Sequence, residues 1–282
     1  LLALTAAGCA GQTSSKSSAE ELTGVKKDDA QVVEDLLRAE SKAARLGQYT
    51  LGKKLGEGGM GSVYLARHAM LRRPTAVKLI KAPADGVVSP QRFTRFEREV
   101  QLTAELTHPN TIAIFDYGKT PAGVFYYAME YLLGVDLDGL VTRTGPLPPA
   151  RMAYLLLQVC GSLTEAHERG LIHRDLKPGN IMVCERGGEH DRVKVLDFGL
   201  VKSVEQGAGD ASVTTDAGIA GTPMYMAPEC LAKADAVGVR SDIYALGAVM
   251  YFLLAGREIF PDRDTVAVVV AQMTLPPDPL AE

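Results

Sequence analysis

Two short polar stretches in the middle of the chain carry side chains that could do chemistry together. The first runs His-Arg-Asp-Leu-Lys-Pro-Gly-Asn from His173 to Asn180, and the second is the Asp-Phe-Gly that begins at Asp197. They supply two carboxylates, an ammonium and a carboxamide. Carboxylate and amide oxygens are hard ligands that suit Mg²⁺, and an ammonium stabilises negative charge on a phosphoryl group. The combination therefore predicts Mg²⁺-dependent phosphoryl transfer.

These stretches are similar to the catalytic and metal-binding loops of protein kinases, and the chain resembles the bacterial serine/threonine type. The resemblance implies that Asp175 is the catalytic base and that Lys177 stabilises the transferring phosphoryl group. Asn180 and Asp197 would hold Mg²⁺ between the phosphates of ATP. Alone, Asp175 could be a cap and Asp197 a turn carboxylate, but their occurrence together with Asn180 favours the catalytic interpretation.

A glycine-rich segment lies upstream, between two predicted strands, and matches the pattern GxGxxGxV. Glycines let a loop backbone approach a triphosphate where a Cβ would keep it away. The same glycine spacing marks dinucleotide folds, but there a helix follows the turn, whereas residues 62–67 here have a strand pattern. The resemblance implies nucleotide contacts from Leu55, Gly56, Glu57, Gly58, Gly59, Met60, Gly61, Ser62 and Val63.

A lysine and a glutamate complete the phosphate site that the resemblance implies. Lys78 of Ala-Val-Lys, on the third predicted strand, would neutralise the α and β phosphates. Glu99, on a predicted helix, would pair with Lys78. Glu97 is the competing candidate, and the position of Glu99 ahead of the His-Pro-Asn turn at 108–110 favours Glu99.

The segment Met-Glu-Tyr-Leu at 129–132 follows a predicted strand, where the family's hinge binds adenine through backbone groups. The resemblance implies contacts from the Glu130 carbonyl and the Leu132 amide. Apolar walls would leave the ring edge as the only polar feature to satisfy. The residues assigned to this pocket are Val63, Ala76, Met129, Glu130, Leu132 and Met182.

The segment from Asp197 to Glu229 is rich in Gly, Ala, Ser and Thr and ends in Ala-Pro-Glu, which is typical of an activation loop. The resemblance implies that Thr214 and Thr215 are phosphorylated, and that Arg174 supplies the cation that pairs with the phosphate. The alternative is that both threonines are ordinary polar loop residues.

Two groups of elements must position these residues. Beyond Leu132, long segments with helical periodicity predict a mainly helical region, and the expected fold class is α+β. The resemblance implies the bilobal protein-kinase fold, with a small antiparallel β-sheet lobe carrying one helix and a mainly helical large lobe. The predicted strands are 49–55, 62–67, 75–81, 112–117 and 124–130, and the predicted helices are 93–106, 149–169 and 242–255.

The expected domain organisation has a leading segment over 1–48 and a kinase domain over 49–282, divided into an N-lobe at 49–132 and a C-lobe at 133–282. The leading segment contains an apolar start, a polar linker and an amphipathic helix over 30–46. The C-lobe is expected to be incomplete, because its sequence ends after several prolines without the family's last helices.

The apolar start over residues 1–10 has three interpretations. It is a fraying apolar end, the tail of a membrane span that begins upstream, or a partial lipoprotein processing site at Cys9. The last would send the chain outside the cytoplasm, where ATP is scarce, so the kinase motifs argue against it. We expect a cytoplasmic kinase domain, with membrane tethering through upstream sequence as an open alternative.

The charge and the cysteine content argue against several other functional classes of protein. The 30 basic and 34 acidic residues are interspersed and give a net charge of −4, so no basic face indicates a nucleic-acid partner. The four cysteines are far apart without a CxxC pair, which indicates neither a zinc site nor a disulfide framework.

The resulting hypothesis is an enzyme, an ATP- and Mg²⁺-dependent protein kinase with activation-loop autophosphorylation. Lys177 and Thr222 follow the serine/threonine subgroup, so the acceptor is expected to be a Ser or Thr hydroxyl of a protein substrate. One alternative is a catalytically silent scaffold that signals through binding. A small-molecule phosphotransferase is the other, and the Ala-Pro-Glu segment argues against it.

Overall fold

An antiparallel sheet forms the first part of the computed structural model, which describes residues 45–58, 61–80, 90–120, 123–198, 214–215, 218–219, 223–232, 237–261 and 264–280. Six strands lie in the order β1-β2-β3-β4-β6-β5. They are β1 Arg45–Leu46, β2 Tyr49–Gly58, β3 Gly61–His68, β4 Pro74–Ile80, β5 Ile114–Lys119 and β6 Phe125–Glu130.

Strand β1 replaces the end of the helix that the sequence predicted over 30–46. Arg45 and Leu46 pair with Thr50 and Tyr49. The turn between the strands is possible because Gly47 adopts a φ of 55°, a left-handed conformation that glycine adopts without steric cost. Residues 30–44 of the predicted helix lie outside the described residues.

One helix, α1 (Pro90–Ala104), packs on this sheet. Phe96 and Val100 lie four residues apart, so they share one face of the helix, and both are fully buried. The ring of Phe96 stacks on that of Phe125 in β6, with 5.1 Å between centroids. Burial of this apolar face holds α1 beside the sheet.

The second part of the structure is mainly helical, as predicted. A small sheet with the order β7-β8-β9 lies at its edge. Its helices are α2 Leu137–Thr144, α3 Pro149–Glu168, α4 Pro228–Ala232, α5 Val239–Ala255 and α6 Thr265–Thr274. Its strands are β7 Gly134–Asp136, β8 Ile181–Arg186 and β9 Glu189–Val195, with a separate pair formed by β10 Thr214–Thr215 and β11 Gly218–Ile219.

The core of this part lies between α3 and α5. Leu155, Val159 and Leu163 follow one another at four-residue spacing along α3 and are almost completely buried. Val249 and Leu253 of α5 belong to the same cluster. The two helices therefore form a packed support for the loop that follows α3.

The segment after α1 ties the sheet to the helical part. The Ile112 amide donates to the Val195 carbonyl at 3.0 Å, and the Val195 amide donates to the Asn110 carbonyl at 2.7 Å. The carboxylate of Glu165, on α3, accepts from the amides of Thr107 and His108. These bonds fix the distance between α1 and the catalytic loop.

Among the described residues, no helix combines the length and the apolar character that crossing a membrane requires. The division at 132/133 and the leading segment over 1–48 stay predictions.

Candidate active site

The predicted catalytic loop, from His173 to Asn180, is anchored by one buried carboxylate on α5. Asp242 accepts hydrogen bonds from the backbone amides of His173 at 2.8 Å and Arg174 at 3.0 Å. It also contacts His167 Nε2 at 2.7 Å. Arg174 has a φ of 64°, so the anchor holds a backbone conformation that a non-glycine residue rarely adopts.

His173 joins this loop to the segment that carries Asp197. Its Nδ1 accepts from the Asp175 amide at 3.3 Å, so its Nε2 carries the hydrogen that is donated to the Leu196 carbonyl at 2.8 Å. Burial lowers the pKa of His173 although Asp242 and Asp175 oppose the shift, which keeps this neutral tautomer at pH 7. The imidazole ring lies on that of Phe198, with 4.7 Å between centroids.

The carboxylate of Asp175 is held by two neighbours within the loop. Lys177 Nζ lies 2.9 Å from Asp175 Oδ2, and Asn180 Nδ2 donates to the same oxygen at 3.0 Å. Asn180 Nδ2 also donates to the Asp175 carbonyl at 2.7 Å. Both side-chain contacts reach Oδ2, so they leave Oδ1 as the oxygen that can accept from an incoming hydroxyl.

Asp197 lies at the end of β9 with a φ of 55° and a side chain that is 16% exposed. Its Oδ2 forms an ion pair with Lys78 Nζ at 2.5 Å, and its Oδ1 accepts from the hydroxyl of Tyr127. Burial would raise the pKa of Asp197, but the charge and hydrogen bond of Lys78 and the Tyr127 hydroxyl outweigh it and lower the pKa. The carboxylate is therefore ionised at neutral pH.

Lys78 and Glu99 do not form the pair that the resemblance implied. Lys78 is bound to Asp197, because this buried carboxylate needs a positive charge close by. Glu99 instead lies against Arg174, with 3.5 Å between Oε1 and Nη1. The competing candidate, Glu97, accepts from the Tyr117 hydroxyl at 3.4 Å on another side of α1. Of the two glutamates, Glu99 is thus the one that faces the catalytic loop.

Asn180 and Asp197 fit a magnesium ion that is completed by phosphate oxygens. The nitrogen of Asn180 is engaged with Asp175, so its amide oxygen is the atom that can bind a cation. Among the described residues, no cluster of three or more His, Cys, Asp or Glu side chains could bind a metal by itself. One carboxylate and one amide are the few protein ligands that Mg²⁺ uses beside a nucleotide.

The glycine-rich segment forms the end of β2, the turn and the start of β3. Gly61 has a φ of 142°, and a Cβ there would lie 2.0 Å from the Leu79 carbonyl oxygen, so neighbouring backbone requires glycine at this position. At Gly56 and Gly58, a Cβ would meet no atom within 4 Å. The space above these two glycines is thus open, as a cradle for phosphates requires. Gly59 and Met60 lie outside the described residues.

Most of the predicted adenine walls come together in one hydrophobic cluster. Ala76 and Met129 are buried there, and Val63 and Leu132 pack against them. Met182 lies on β8, half-buried and outside that cluster, paired in register with Asp136 of β7. The remaining predicted contacts, Leu55, Glu57 and Ser62, lie on β2 and β3, where Leu55 and Glu57 are exposed.

The side chain of Glu130 points away from the hinge backbone and anchors it. Its carboxylate forms an ion pair with Lys194 Nζ at 2.6 Å and another with Arg186, and it accepts from the Ala113 amide at 2.9 Å. Burial would raise the pKa of Glu130, but the hydrogen bonds from Lys194, Ala113 and Arg186 outweigh it and lower the pKa. The hinge is therefore attached to the β8–β9 hairpin.

The predicted phosphorylation sites lie on β10. The backbone of Thr214–Thr215 pairs with that of Gly218–Ile219 in an antiparallel arrangement. Their side chains lie outside the described part of the structure.

Sequence reasoning missed two residues of this site, Tyr127 and Lys194. Both are buried and reach their partners across strands that are far apart in the chain. Alternation along β6 could have indicated that Tyr127 faces the same side as Met129, but not that its hydroxyl meets Asp197.

The protein kinase domain family matches residues 49–277. The chain belongs to this family. Protein kinases use ATP and a divalent metal ion, and they act on protein substrates. The family assignment and the bilobal kinase fold predicted from the sequence are therefore confirmed.

Two bacterial kinases are among the relatives of this kinase domain. It is 39% identical over 234 residues to the serine/threonine-protein kinase pkn3 of Myxococcus xanthus, matching 82% of the chain and 42% of the relative. It is 40% identical over 235 residues to PknB of Mycobacterium tuberculosis, matching 82% of the chain and 36% of the relative. The chain thus spans well under half the length of these two proteins.

A solved structure agrees with these relatives. The PknI kinase domain of Mycobacterium tuberculosis matches with a TM-score of 0.61 and 29% identity, and the match covers 85% of this chain and 82% of that one. The serine/threonine type predicted from the catalytic loop is thus the type of both curated relatives.

Proposed function

We propose that this kinase domain transfers the γ-phosphoryl group of Mg-ATP to Ser or Thr hydroxyls of proteins. The observation that carries the proposal is the convergence of Asp175, Lys177 and Asn180 with Lys78 and Asp197. Hydrogen bonds and ion pairs of 3.0 Å or less join the members of each group, and the amide of Leu196, next to Asp197, donates to the Asn180 carbonyl at 2.9 Å. Phosphoryl transfer depends mainly on positioning and on charge stabilisation, and these groups supply both.

Within this proposal, Asp175 orients the acceptor hydroxyl and receives its proton at Oδ1. Lys177, now bound to Oδ2 of the same carboxylate, stabilises charge on the transferring group. Because Lys177 neutralises Oδ2 and Asn180 fixes it, the carboxylate presents one oxygen in a defined direction. Positioning is the larger part of its role, since loose transition states demand little of a base.

Asn180 and Asp197 would hold the metal ion, which neutralises charge on the β- and γ-phosphates when it is bound. Lys78 is already in the site, 2.5 Å from Asp197, so its ammonium would reach the α- and β-phosphates by a small change of side-chain torsions. Glu99 would support Lys78 after leaving Arg174.

The glycine-rich segment and the hinge would bind the nucleotide. The open space above Gly56 and Gly58 supports the phosphate cradle, and the cluster around Ala76 and Met129 supports the adenine pocket. The complete set proposed for nucleotide binding is Leu55, Gly56, Glu57, Gly58, Gly59, Met60, Gly61, Ser62, Val63, Ala76, Lys78, Met129, Glu130, Leu132 and Met182.

We also propose that the domain phosphorylates itself at Thr214 or Thr215. The Arg174–Glu99 pair supports this, because the Arg174 side chain is 39% exposed and a contact of 3.5 Å is weak. A phosphate on the segment would compete with Glu99 for this cation. Phosphopeptide mapping after incubation with ATP is expected to find one of the two threonines modified. A map without either would refute this part of the proposal.

A kinase domain of this kind would lie in the cytoplasm, where its substrate ATP is abundant. Membrane tethering through sequence upstream of residue 1 stays the alternative to a domain without a tether. The protein partner would be recognised through its Ser or Thr acceptor.

Transfer of label from γ-labelled ATP to a protein acceptor tests the proposal. With Mg²⁺, the wild-type chain is expected to transfer label, and Asp175→Asn to transfer about 100-fold less or below that. Asp138→Asn is the matched control, because it makes the same change at an exposed acid on α2 that has no proposed role in the transfer. Equal transfer by all three would remove Asp175 as the base. ATP binding without transfer by the wild type would favour the silent scaffold.

A further inference from the structure

Tyr127, near the middle of β6, places a polar hydroxyl group inside the hydrophobic core. The side chain is completely buried, and its ring belongs to the cluster formed by Phe96, Val100 and Phe125. A phenylalanine would fill the same space. A buried hydroxyl is costly unless it is hydrogen-bonded, so its presence calls for a partner.

That partner is Asp197, the carboxylate proposed to bind the metal. The Tyr127 hydroxyl donates to Asp197 Oδ1, while Lys78 occupies Oδ2 at 2.5 Å. The two donors come from neighbouring strands, β6 and β4, which pair in register at Lys78 and Tyr127. The carboxylate is therefore fixed in both position and rotation by the sheet.

The two donors, Lys78 and Tyr127, would behave differently when a nucleotide binds. Lys78 would turn towards the phosphates and so weaken its contact with Asp197. Tyr127 is fully buried in the core of the sheet lobe and has no such second role. Each carboxylate oxygen has two lone pairs, so Oδ1 can keep the Tyr127 bond and still bind a cation.

We propose that Tyr127 is a positioning residue for metal binding, acting through Asp197. Groups that hydrogen-bond to a metal ligand orient it, and their removal usually weakens metal affinity by at least tenfold. The inference rests on the proposed function only in assigning Asp197 to the metal. It predicts that loss of the Tyr127 hydroxyl lowers the affinity for Mg²⁺ and leaves the affinity of the adenine pocket for nucleotide unchanged.

The matched pair of variants is Tyr127→Phe and Tyr126→Phe. Tyr126 is the neighbour on β6, and its side chain faces the opposite side of the sheet, where its hydroxyl approaches Gly118. Each variant removes one oxygen from the same strand, so a general effect on β6 would appear in both. Thermal melting of each variant checks that the fold is retained, and Tyr127→Met is a second variant that fills the space without a ring.

The measurement is binding of a fluorescent ATP analogue, titrated with Mg²⁺ and repeated in EDTA. For Tyr127→Phe, we expect the half-saturating Mg²⁺ concentration to rise about tenfold, with analogue affinity in EDTA unchanged. Tyr126→Phe is expected to match the wild type in both conditions. Equal Mg²⁺ dependence for Tyr127→Phe, Tyr126→Phe and the wild type would overturn the inference.

This binding assay separates the inference from the proposed function. If the wild type binds the analogue with Mg²⁺ but transfers no phosphoryl group, the kinase proposal fails while the role of Tyr127 is still decided. If phosphoryl transfer is measurable, Tyr127→Phe is expected to need about tenfold more Mg²⁺ for half-maximal rate as well. A fall in rate that Mg²⁺ does not restore would contradict positioning through Asp197.

Discussion

The two sides of the cleft differ in how firmly their charged groups are held. On the helical side, the backbone of His173 and Arg174 is bonded to the buried carboxylate of Asp242, and Asp175 is fixed by groups of its own loop. On the sheet side, Lys78 and Glu99 are long side chains on separate elements. They pair with Asp197 and Arg174 rather than with each other.

The difference shows what a motif determines. In the catalytic loop, neighbouring residues satisfy one another, so the spacing along the chain largely fixes the geometry. Across the cleft, Lys78 pairs with Asp197, a residue far away in the chain, because this buried charge needs compensation. Exchange between such partners is the kind of change that a switch can use.

The largest expected effect comes from removing the ammonium on the sheet side. Lys78→Met should lower the rate of phosphoryl transfer by about 100- to 1000-fold, because a positioned charge near the phosphates is lost. Single-turnover transfer of labelled phosphate measures it. Lys53→Met, at an exposed position on β2, serves as the control. A loss below tenfold would mean that the Lys78–Asp197 pair is structural.

On the helical side, Asp242→Asn should break the anchor. The carboxamide would turn a donor towards one of the two backbone amides, so we expect the free energy of unfolding to fall by about 2–3 kcal/mol. Urea denaturation measures the change, with the exposed Asp138→Asn as reference. An unchanged midpoint would show that the loop holds its conformation without Asp242.

A smaller effect is expected for the glutamate of α1 that pairs with Arg174. Glu99→Gln should lower the transfer rate about tenfold, because one charge that supports Lys78 or Arg174 is lost. Glu97→Gln, two residues away and facing Tyr117, should change it less than twofold. The comparison decides which of the two glutamates supports Lys78, a choice that the sequence left open. Reversed effects would assign the role to Glu97.

The smallest effect concerns the hinge anchor. Because the folded-state pKa of Glu130 lies below its ordinary 4.5, its carboxylate stabilises the fold above that pH and loses this effect as pH falls through the lowered pKa. Glu130→Gln should thus be less stable by about 1–2 kcal/mol at pH 7, and the difference should shrink below pH 4.5. Urea titrations from pH 7 to 3.5 follow it. A difference independent of pH would exclude the charge as its cause.

Features that depend on residues close together in the chain could be predicted from the sequence. The strands of the main sheet, α3 and the grouping of Asp175 with Asn180 follow from periodicity and short spacing. Strand β1 was missed because the charged, periodic pattern before Gln48 resembles a helix, while its end depends on the conformation of Gly47.

Contacts between distant parts of the chain were the ones that could not be predicted. The Tyr127–Asp197 bond joins residues far apart in sequence, and neither neighbourhood indicates the other. The pairs that Lys78 forms with Asp197 and Glu99 forms with Arg174 were missed for a related reason, since burial of Asp197 decides where Lys78 goes. The pair of Lys78 with Glu99 stays a prediction. Met182 was expected to sandwich the adenine ring with Val63 and Ala76; it lies on β8, and its contact with the ring stays a prediction.

The buried ring of Tyr127 also affects which inhibitors this cleft can accept. Tyr127 lies two residues before Met129 on β6, so both side chains face the same side of the sheet and belong to one buried cluster behind the wall of the adenine pocket. A compound that extends past Met129 must displace this ring and break its bond to Asp197. Compounds that end at Met129 avoid both costs, which makes them the better starting point for chemical probes of this kinase domain.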